Sequence, residues 1–256
     1  MKTSFKLKAI AAALALAGTG SAFANTALNS TTTGSIVLNV FDATNGDSFV
    51  FDTGLTAGTI GSTTSYSASL SADANYQAFL SAVGSDELQY SVVGNQKTGA
   101  VGEAAYSTVA SFGSALPSNS KVNAALTTGD GYYQSVNLVS SNTLNSAFEN
   151  GGEPAATYGP FSTSWESNLQ INELASVGSA LNFYSFAVGS SGVRSSSQLA
   201  TLTSFGTWNF SSGTLTYSAV PVPASWGLLL SGLALMGVIA RRGKSSEGDF
   251  FTGAAA

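Results

Sequence analysis

The chain has 256 residues, with nine Lys and Arg against fourteen Asp and Glu, no histidine and no cysteine, which gives a net charge of −5 at pH 7. The missing residue types exclude disulfides, catalytic thiols, imidazole metal ligands and Ser-His-Asp triads. Six of the nine basic residues lie in the two terminal segments, so the body has twelve acids, three bases and a net charge of −9. Such a surface repels phosphate backbones, which argues against nucleic acid as a partner.

The first 24 residues have the pattern of a secretory signal peptide. Three lysines precede an apolar run at residues 9–17, and small residues stand at Ala22 and Ala24. The run has no polar face and is shorter than a membrane span, which favours a signal over a surface helix or an anchor. The sequence therefore predicts export by the general secretion machinery, with cleavage between Ala24 and Asn25.

The body, residues 25–218, has the length of one domain and the pattern of a mainly β fold. It is predicted to be a single β-sandwich-like or barrel-like body with one to three short helices, because short strand-like runs alternate with Gly and Ser. Beyond a first hairpin, strands are predicted at residues 65–70, 87–93, 105–112, 168–174, 181–188, 198–205, 207–210 and 214–219.

The first hairpin is predicted from SIVLNVFDATNGDSFVFD, two β-rich runs joined at the Asn-Gly step of residues 45–46. Asn-Gly is the strongest short signal for a two-residue hairpin turn. Pairing through that turn sets Val40 opposite Phe51, and the next residue, Phe41, opposite Val50.

Helices are predicted to be few. In DANYQAFLSAVG, apolar residues recur at helical spacing between a cap at Asp73 and a stop at Gly84. Weaker helical patterns cover residues 120–126 and 143–150, while residues 132–139 fit a helix by spacing and a strand by composition. The clearest loop is GGEPAATYGP, residues 151–160.

Oxygen ligands for a metal are suggested by DATNGD. Asp42, Asn45 and Asp47 are placed to offer oxygens to Ca²⁺, but they lack the ligand spacing of a calcium loop. The same residues are also typical of an ordinary hairpin turn. The sequence therefore predicts no metal and no cofactor.

Paired carboxylates are the remaining catalytic candidates. Asp86 with Glu87, or Glu166 with Glu173, would supply the two acids of a glycosidase if their side chains faced each other across a cleft. With twelve acids in the body, some such pairs are expected by chance. The prediction is that the protein has no catalytic residues and is not an enzyme.

Aromatic residues offer an alternative basis for binding sugars. Aromatic side chains in strands are usually core residues or cross-strand partners. Trp208 and Phe210 share one face of a strand, as core residues do. The candidates for a sugar-stacking platform are Tyr132, Tyr133, Tyr158, Trp165 and Trp208.

The C-terminal part has an uncharged apolar run from Trp226 to Ala240. As a helix it reaches about 22 Å at ~1.5 Å per residue, and counting from Ala219 gives a marginal span of the ~30 Å hydrocarbon core. Its apolar residues cover every face, unlike the single stripe of a core helix. One C-terminal transmembrane helix is therefore predicted.

The flanks of this run support a membrane orientation. Two prolines at residues 221 and 223 stand at its outer edge, where proline can start a helix. The basic cluster Arg241, Arg242 and Lys244 follows immediately and indicates a stop on the cytoplasmic side. The prediction is a sorting segment at residues 219–244 and a short cytoplasmic tail at residues 245–256.

A signal peptide, a Pro-x-Pro pair, a short apolar helix and an Ala-Arg-Arg cluster together resemble the PEP-CTERM class of exosortase-processed proteins of Gram-negative bacteria. The usual signature has Glu between the prolines, where this chain has Val222. The tail SSEGDFFTGAAA also extends further than is usual. The motif is closer to the variant Val-Pro-Leu-Pro-Ala, and its residues are Val220, Pro221, Val222, Pro223 and Ala224.

The resemblance covers residues 220–244 and concerns sorting rather than activity. It implies an inner-membrane-anchored precursor that an exosortase cuts near the prolines, so that the body reaches the cell surface or the medium. Members are commonly associated with exopolysaccharide and biofilm. The expectation is a non-catalytic envelope or extracellular-matrix protein, with exopolysaccharide as a candidate partner. The alternatives are a secreted glycan-active enzyme or carbohydrate-binding protein, and an unprocessed, membrane-anchored periplasmic protein.

Overall fold

The computed structural model describes residues 28–30, 33–84, 86–99, 102–139, 145–150, 158–189 and 195–220. The predicted signal peptide and its cleavage site lie outside the described residues, as does the sorting segment beyond Val220. The chain divides into two compact units, Met1–Ala219 and Val220–Ala256. The first contains the β body.

The described part of the first unit is built from twelve strands and four helices. The strands are β1 (Ser35–Asp42), β2 (Ser48–Thr56), β3 (Ser65–Ser69), β4 (Leu88–Gln96), β5 (Ala104–Val109), β6 (Ser111–Phe112), β7 (Ser146–Glu149), β8 (Ile171–Asn172), β9 (Ala175–Ser176), β10 (Ala180–Ala187), β11 (Thr201–Ser211) and β12 (Thr214–Ala219). The helices are α1 (Ala57–Ile60), α2 (Ala74–Val83), α3 (Asn119–Val139) and α4 (Tyr158–Leu169).

Ten strands form one antiparallel sheet in the order β3-β12-β11-β10-β5-β4-β1-β2-β7, with β9 beside β4. Strands β6 and β8 pair separately. The large sheet curls into a half-barrel. The mainly β class is confirmed. The sandwich alternative is wrong for the described residues, because one curled sheet takes the place of two sheets packed face to face.

The middle of the sheet is buried on both faces. Along β1, Ile36 and Leu38 point into one core while Val37 points into the other, because successive side chains of a strand alternate in direction. Helix α2 covers the first core, and α3 and α4 cover the second. The central strands β1, β4 and β5 are therefore buried along most of their length.

Helix α2 confirms the prediction made for DANYQAFLSAVG. The carboxylate of Asp73 accepts a hydrogen bond from the backbone N–H of Tyr76 at 2.9 Å, which satisfies one of the free donors at the helix start. Gly84 has a φ of 63° and its N–H donates to the carbonyl of Leu80, which ends the helix. The buried residues Tyr76, Phe79 and Val83 then share one face.

The first hairpin forms, but its predicted register is wrong by two residues. Val40 pairs with Phe49 rather than Phe51, and Phe41 with Ser48 rather than Val50. The carboxylate of Asp42 accepts hydrogen bonds from the backbone N–H of Thr44 and the Nδ2 of Asn45, both at 2.8 Å. These bonds start the turn at Asp42, before the Asn-Gly step. A shift of two keeps every side chain on its predicted face.

Helices are more extensive than the one to three short ones predicted. The helical pattern at residues 120–126 and the ambiguous residues 132–139 both belong to the 21-residue α3. Helix α4 begins inside the predicted loop at residues 151–160: Gly159 and Pro160 are typical of loops, but proline is tolerated in the first helical turn. Its buried residues are Tyr158, Phe161, Trp165 and Leu169.

Three further local predictions are wrong. Residues 168–174 contain only the two-residue β8, because α4 continues to Leu169. Residues 146–149 form β7 instead of a helix, since they pair with β2. The predicted strands at residues 198–205 and 207–210 are one strand, β11, whose pairing with β10 shifts register near Gly206.

Candidate functional site

The structure brings Glu166 and Glu173 together. Glu166 lies on the last turn of α4 and Glu173 follows β8, so the chain reverses between them. The backbone N–H of Glu173 donates to Oε1 of Glu166 at 2.8 Å. Of the two carboxylate pairs that the sequence singles out, this one is built into the fold.

The side chain of Glu173 is fully buried and hydrogen-bonded on both oxygens. The phenol of Tyr158 donates to Oε1 at 2.6 Å, and the Oγ of Ser107 lies 3.1 Å from Oε2. Ser91 shares a short hydrogen bond with the Tyr158 hydroxyl, and the Nε1 of Trp165 donates to Ser107 at 3.2 Å. We call these five residues the Glu173 network.

Burial raises the pKa of the Glu173 carboxyl to about 8; the Tyr158 hydrogen bond works against this rise and the charge of Glu166 adds to it. The acid is therefore mostly protonated at neutral pH. The single hydroxyl proton of Ser107 is within reach of two acceptors, the Thr108 carbonyl at 2.9 Å and Oε2 of Glu173 at 3.1 Å, so it can serve only one of them at a time.

This arrangement does not suit glycoside hydrolysis. That reaction needs two carboxyl groups facing the substrate, about 5 to 10 Å apart. Glu173 points into the core with no exposed surface, whereas Glu166 lines an open surface depression of about 500 Å³ beside Phe112 and Gln170. The Glu173 network therefore supports the fold by tying α4 to the sheet.

The other acidic pair is engaged in surface contacts. Asp86 accepts a hydrogen bond from the Nδ2 of Asn45 at 2.9 Å, and Glu87 accepts one from the Oγ of Ser176 at 3.1 Å. These contacts join the segment before β4 to the turn of the first hairpin and to β9, the short strand that pairs with β4. Asp86 and Glu87 therefore have a structural role that needs no catalytic function.

The proposed calcium ligands form a turn. Asn45 directs its amide donor to the carboxylates of Asp42 and Asp86, at 2.8 and 2.9 Å, while a metal ion would need its oxygen. Among the residues that the structure describes, no group of three acidic side chains is placed to hold a metal ion.

The predicted sugar-stacking residues do not form a surface. Tyr132 stacks on Phe161 with ring centroids 4.3 Å apart and donates to the Oδ1 of Asn39 at 2.6 Å. The five side chains are at most 3% exposed. Four of them lie on α3 and α4 and pack into the core between these helices and the sheet: Tyr132, Tyr133, Tyr158 and Trp165. Trp208 packs into the core on the opposite face of the sheet. Trp208 and Phe210 share a core as predicted.

Asp52 is a buried acid that the sequence patterns do not single out. Asp52 lies in β2, is 8% exposed and accepts a hydrogen bond from the backbone N–H of Gly54 at 2.9 Å. Burial raises the pKa of its carboxyl to about 6, and the Gly54 bond opposes that rise. Asp52 borders a small depression of about 210 Å³ that Thr33 and Thr56 also line. An acid inside the apolar run FVFDTG was the signal that could have identified it.

The residues predicted to govern export lie almost entirely outside the described chain. These are Ala22, Ala24 and Asn25 at the signal cleavage site, Pro221 to Ala224 of the sorting motif, and Arg241, Arg242 and Lys244. Val220 is described; it follows β12 and is 49% exposed. None of the helices within the described ranges combines the length and apolarity of a membrane span.

No protein-family model, no curated protein and no solved structure matches the chain. The geometry of the described body and the sequence patterns at its two ends are therefore the basis for assigning a function.

Proposed function

We propose that the chain is an exported, non-catalytic protein of the cell envelope or extracellular matrix, sorted through its C-terminal segment by an exosortase-type protease. One observation carries the proposal. The compact unit that contains the β body ends at Ala219, and the Val-Pro-Val-Pro-Ala motif begins at the next residue. A cut near the prolines leaves the body whole, as release or surface display requires.

Two features of the chain near Ala219 support a cut after the body. Ala219 is held by a hydrogen bond from its backbone N–H to the carbonyl of Thr64 at 3.0 Å, so the last strand is anchored up to its final residue. Val220 is 49% exposed and belongs to no strand or helix. A protease needs accessible backbone, and the exposure of Val220 is consistent with a cut just after β12.

The body contributes stability rather than chemistry in this proposal. Its buried acids make hydrogen bonds within the fold, and its aromatic candidates are core residues. A net charge of −9 keeps an exported domain soluble. Exopolysaccharide is the partner that the resemblance adds, and Gram-negative bacteria are the setting. A glycan-active enzyme is less well supported, because Glu173 is enclosed.

Processing is tested with the double variant Pro221→Ala and Pro223→Ala in a host that carries its own exosortase. Alanine continues a helix, so insertion should be retained while the cut is lost. We expect this variant to accumulate in the membrane at nearly full length, whereas wild type and the control Val222→Leu are released. Intact mass and N-terminal sequencing identify each species, and the mature chain should begin at Asn25.

Two outcomes would contradict the proposal. If the proline variant is trimmed and released as efficiently as wild type, the motif does not direct processing. If wild type itself stays uncut in the membrane, the protein is an anchored periplasmic protein.

Replacing Arg241, Arg242 and Lys244 with Ser should separately weaken membrane retention, since each cation costs about 3 kcal/mol at the bilayer centre.

A further inference from the structure

Strand β3 is an end strand of the ten-stranded sheet, with β12 as its neighbour on one side. The N–H of Leu70 donates to the Gly213 carbonyl, and the N–H of Ala219 to the Thr64 carbonyl. Antiparallel strands use alternate residues for each neighbour, so the even-numbered residues of β3 pair with β12. The backbone N–H and C=O groups of residues 65, 67 and 69 therefore point away from the sheet.

This edge lacks the features that usually prevent edge-to-edge pairing. Natural edge strands carry Lys, proline or a bulge. The sequence of β3 is SYSAS, its pairing with β12 is regular, and Ser65, Ser67 and Ser69 are exposed. By contrast, β7 at the other end of the sheet is largely buried. Among the residues that the structure describes, no strand pairs with the outer edge of β3.

The electrostatics of the body favour a second copy as the partner of this edge. Residues 53–72 contain no charged side chain, although the body as a whole carries a net charge of −9. Two acidic copies repel each other least where their uncharged surfaces meet. The edge also matches itself, because antiparallel pairing centred on Ser67 sets Ser65 opposite Ser69 of the second copy.

We propose that β3 pairs with β3 of a second copy, antiparallel about a two-fold axis at Ser67, so that the two half-barrel sheets become continuous. About six backbone hydrogen bonds would form, from residues 65, 67 and 69 of each copy. Such a small contact is weak and depends on concentration. A weak contact of this kind suits a protein displayed at high density. The pairing is independent of the proposed route of export.

The register is tested by cysteine substitution in the full chain, which has no cysteine of its own. At a two-fold axis on Ser67 the two Cα atoms lie about 5.5 Å apart, within the disulfide range of about 4.4–6.8 Å. With a mild oxidant, Ser67→Cys should form a covalent dimer. Ser65→Cys should not dimerise alone but should cross-link when mixed with Ser69→Cys. Ser62→Cys, exposed in the preceding turn, is the matched control.

A second pair of variants tests the backbone. The N–H of Ser67 takes no part in the pairing with β12, so Ser67→Pro should keep the fold and remove a donor from the edge. Wild type and Ser67→Thr should show an average mass in sedimentation that rises with concentration, while Ser67→Pro stays monomeric with an unchanged circular dichroism spectrum. The same detergent is used throughout, because the apolar C-terminal segment is present in each variant.

Three results would overturn the β3 pairing. Cross-linking of Ser62→Cys as fast as Ser67→Cys would mean random collision. Association of the Ser67→Pro variant as strong as that of wild type would place the contact elsewhere. Protection of the Ser67 amide from hydrogen exchange in a monomeric sample would mean that another segment of the same chain covers the edge. If Ser67→Pro fails to fold, the cysteine series decides.

Discussion

The hydroxyl of Tyr158 donates a 2.6 Å hydrogen bond to Oε1 of Glu173, so the first residue of α4 is joined to the residue that follows β8. The helix and the chain after it are thereby fastened at the same buried point. Ser107 of β5 binds the other oxygen, which ties this point to the middle of the sheet. The protonation of one carboxyl group consequently affects how firmly α4 is attached.

The variant Glu173→Gln should change how stability depends on pH. The folded pKa of about 8 lies above the ordinary value of 4.5, so the stability from this group is complete below pH 4.5 and is lost as pH rises through 8. Gln cannot ionise and should abolish this loss. The free energy of unfolding is measured with denaturant at pH 5 and at pH 9. Relative to wild type, the variant should be more stable at pH 9 than at pH 5 by several kcal/mol.

The exposed acid Glu87 provides the control for this measurement. Glu87→Gln should follow the wild-type pH profile, because its side chain lies at the surface. Parallel profiles for wild type and Glu173→Gln would mean that Glu173 is ionised in the folded protein at neutral pH.

Asp52→Asn should stabilise the protein above pH 6. The folded pKa of about 6 exceeds the ordinary 3.8, so the favourable contribution is complete below pH 3.8 and lost as pH rises through 6. The amide removes the cost of a buried charge, on the order of 2 kcal/mol. Thermal melts at pH 5 and pH 8 measure this, and an equal change in Tm at both pH values would contradict it.

Phe79→Ala should be strongly destabilising. Phe79 is fully buried on α2, and its ring lies 6.2 Å from that of Phe49 and 5.9 Å from that of Phe148. Removing a buried phenylalanine leaves a cavity and costs about 3–5 kcal/mol. Urea unfolding measures the loss. Leu138→Ala is the control, because Leu138 is 79% exposed on α3 and should change stability by less than about 0.5 kcal/mol.

Chelation should leave the melting temperature unchanged. In the described residues, Asn45 bridges Asp42 and Asp86 where the calcium hypothesis placed an ion. An ion bound only by the folded state would stabilise it by mass action. A fall in Tm with EDTA that added Ca²⁺ reverses would restore the calcium interpretation.

Local signals in the sequence predicted local structure well. The cap and stop of α2 depend on neighbours within one turn, and both were read from Asp73 and Gly84. Strand β7 was mistaken for a helix because its partner, β2, is distant in the chain. The hairpin register depends on a hydrogen bond from the backbone N–H of Thr44 to the carboxylate of Asp42, which the residue composition does not reveal. The pairing of Glu166 with Glu173 was anticipated, but the burial that makes Glu173 a neutral acid requires the three-dimensional core.

The pairing of β3 with β12 sets Ser65 opposite Ser218, near opposite ends of the body. Contacts so distant in sequence form late, and folds that depend on them are slow. Synthesis proceeds from the N-terminus, so β3 must wait for nearly the whole body before its neighbour β12 is made. Refolding should therefore take milliseconds to seconds, a range that stopped-flow fluorescence of Trp208, between Tyr66 and Tyr217, can follow. The strand that completes the sheet, β12, ends at Ala219, directly before the proposed sorting motif, so the body must have received its last strand before that motif follows.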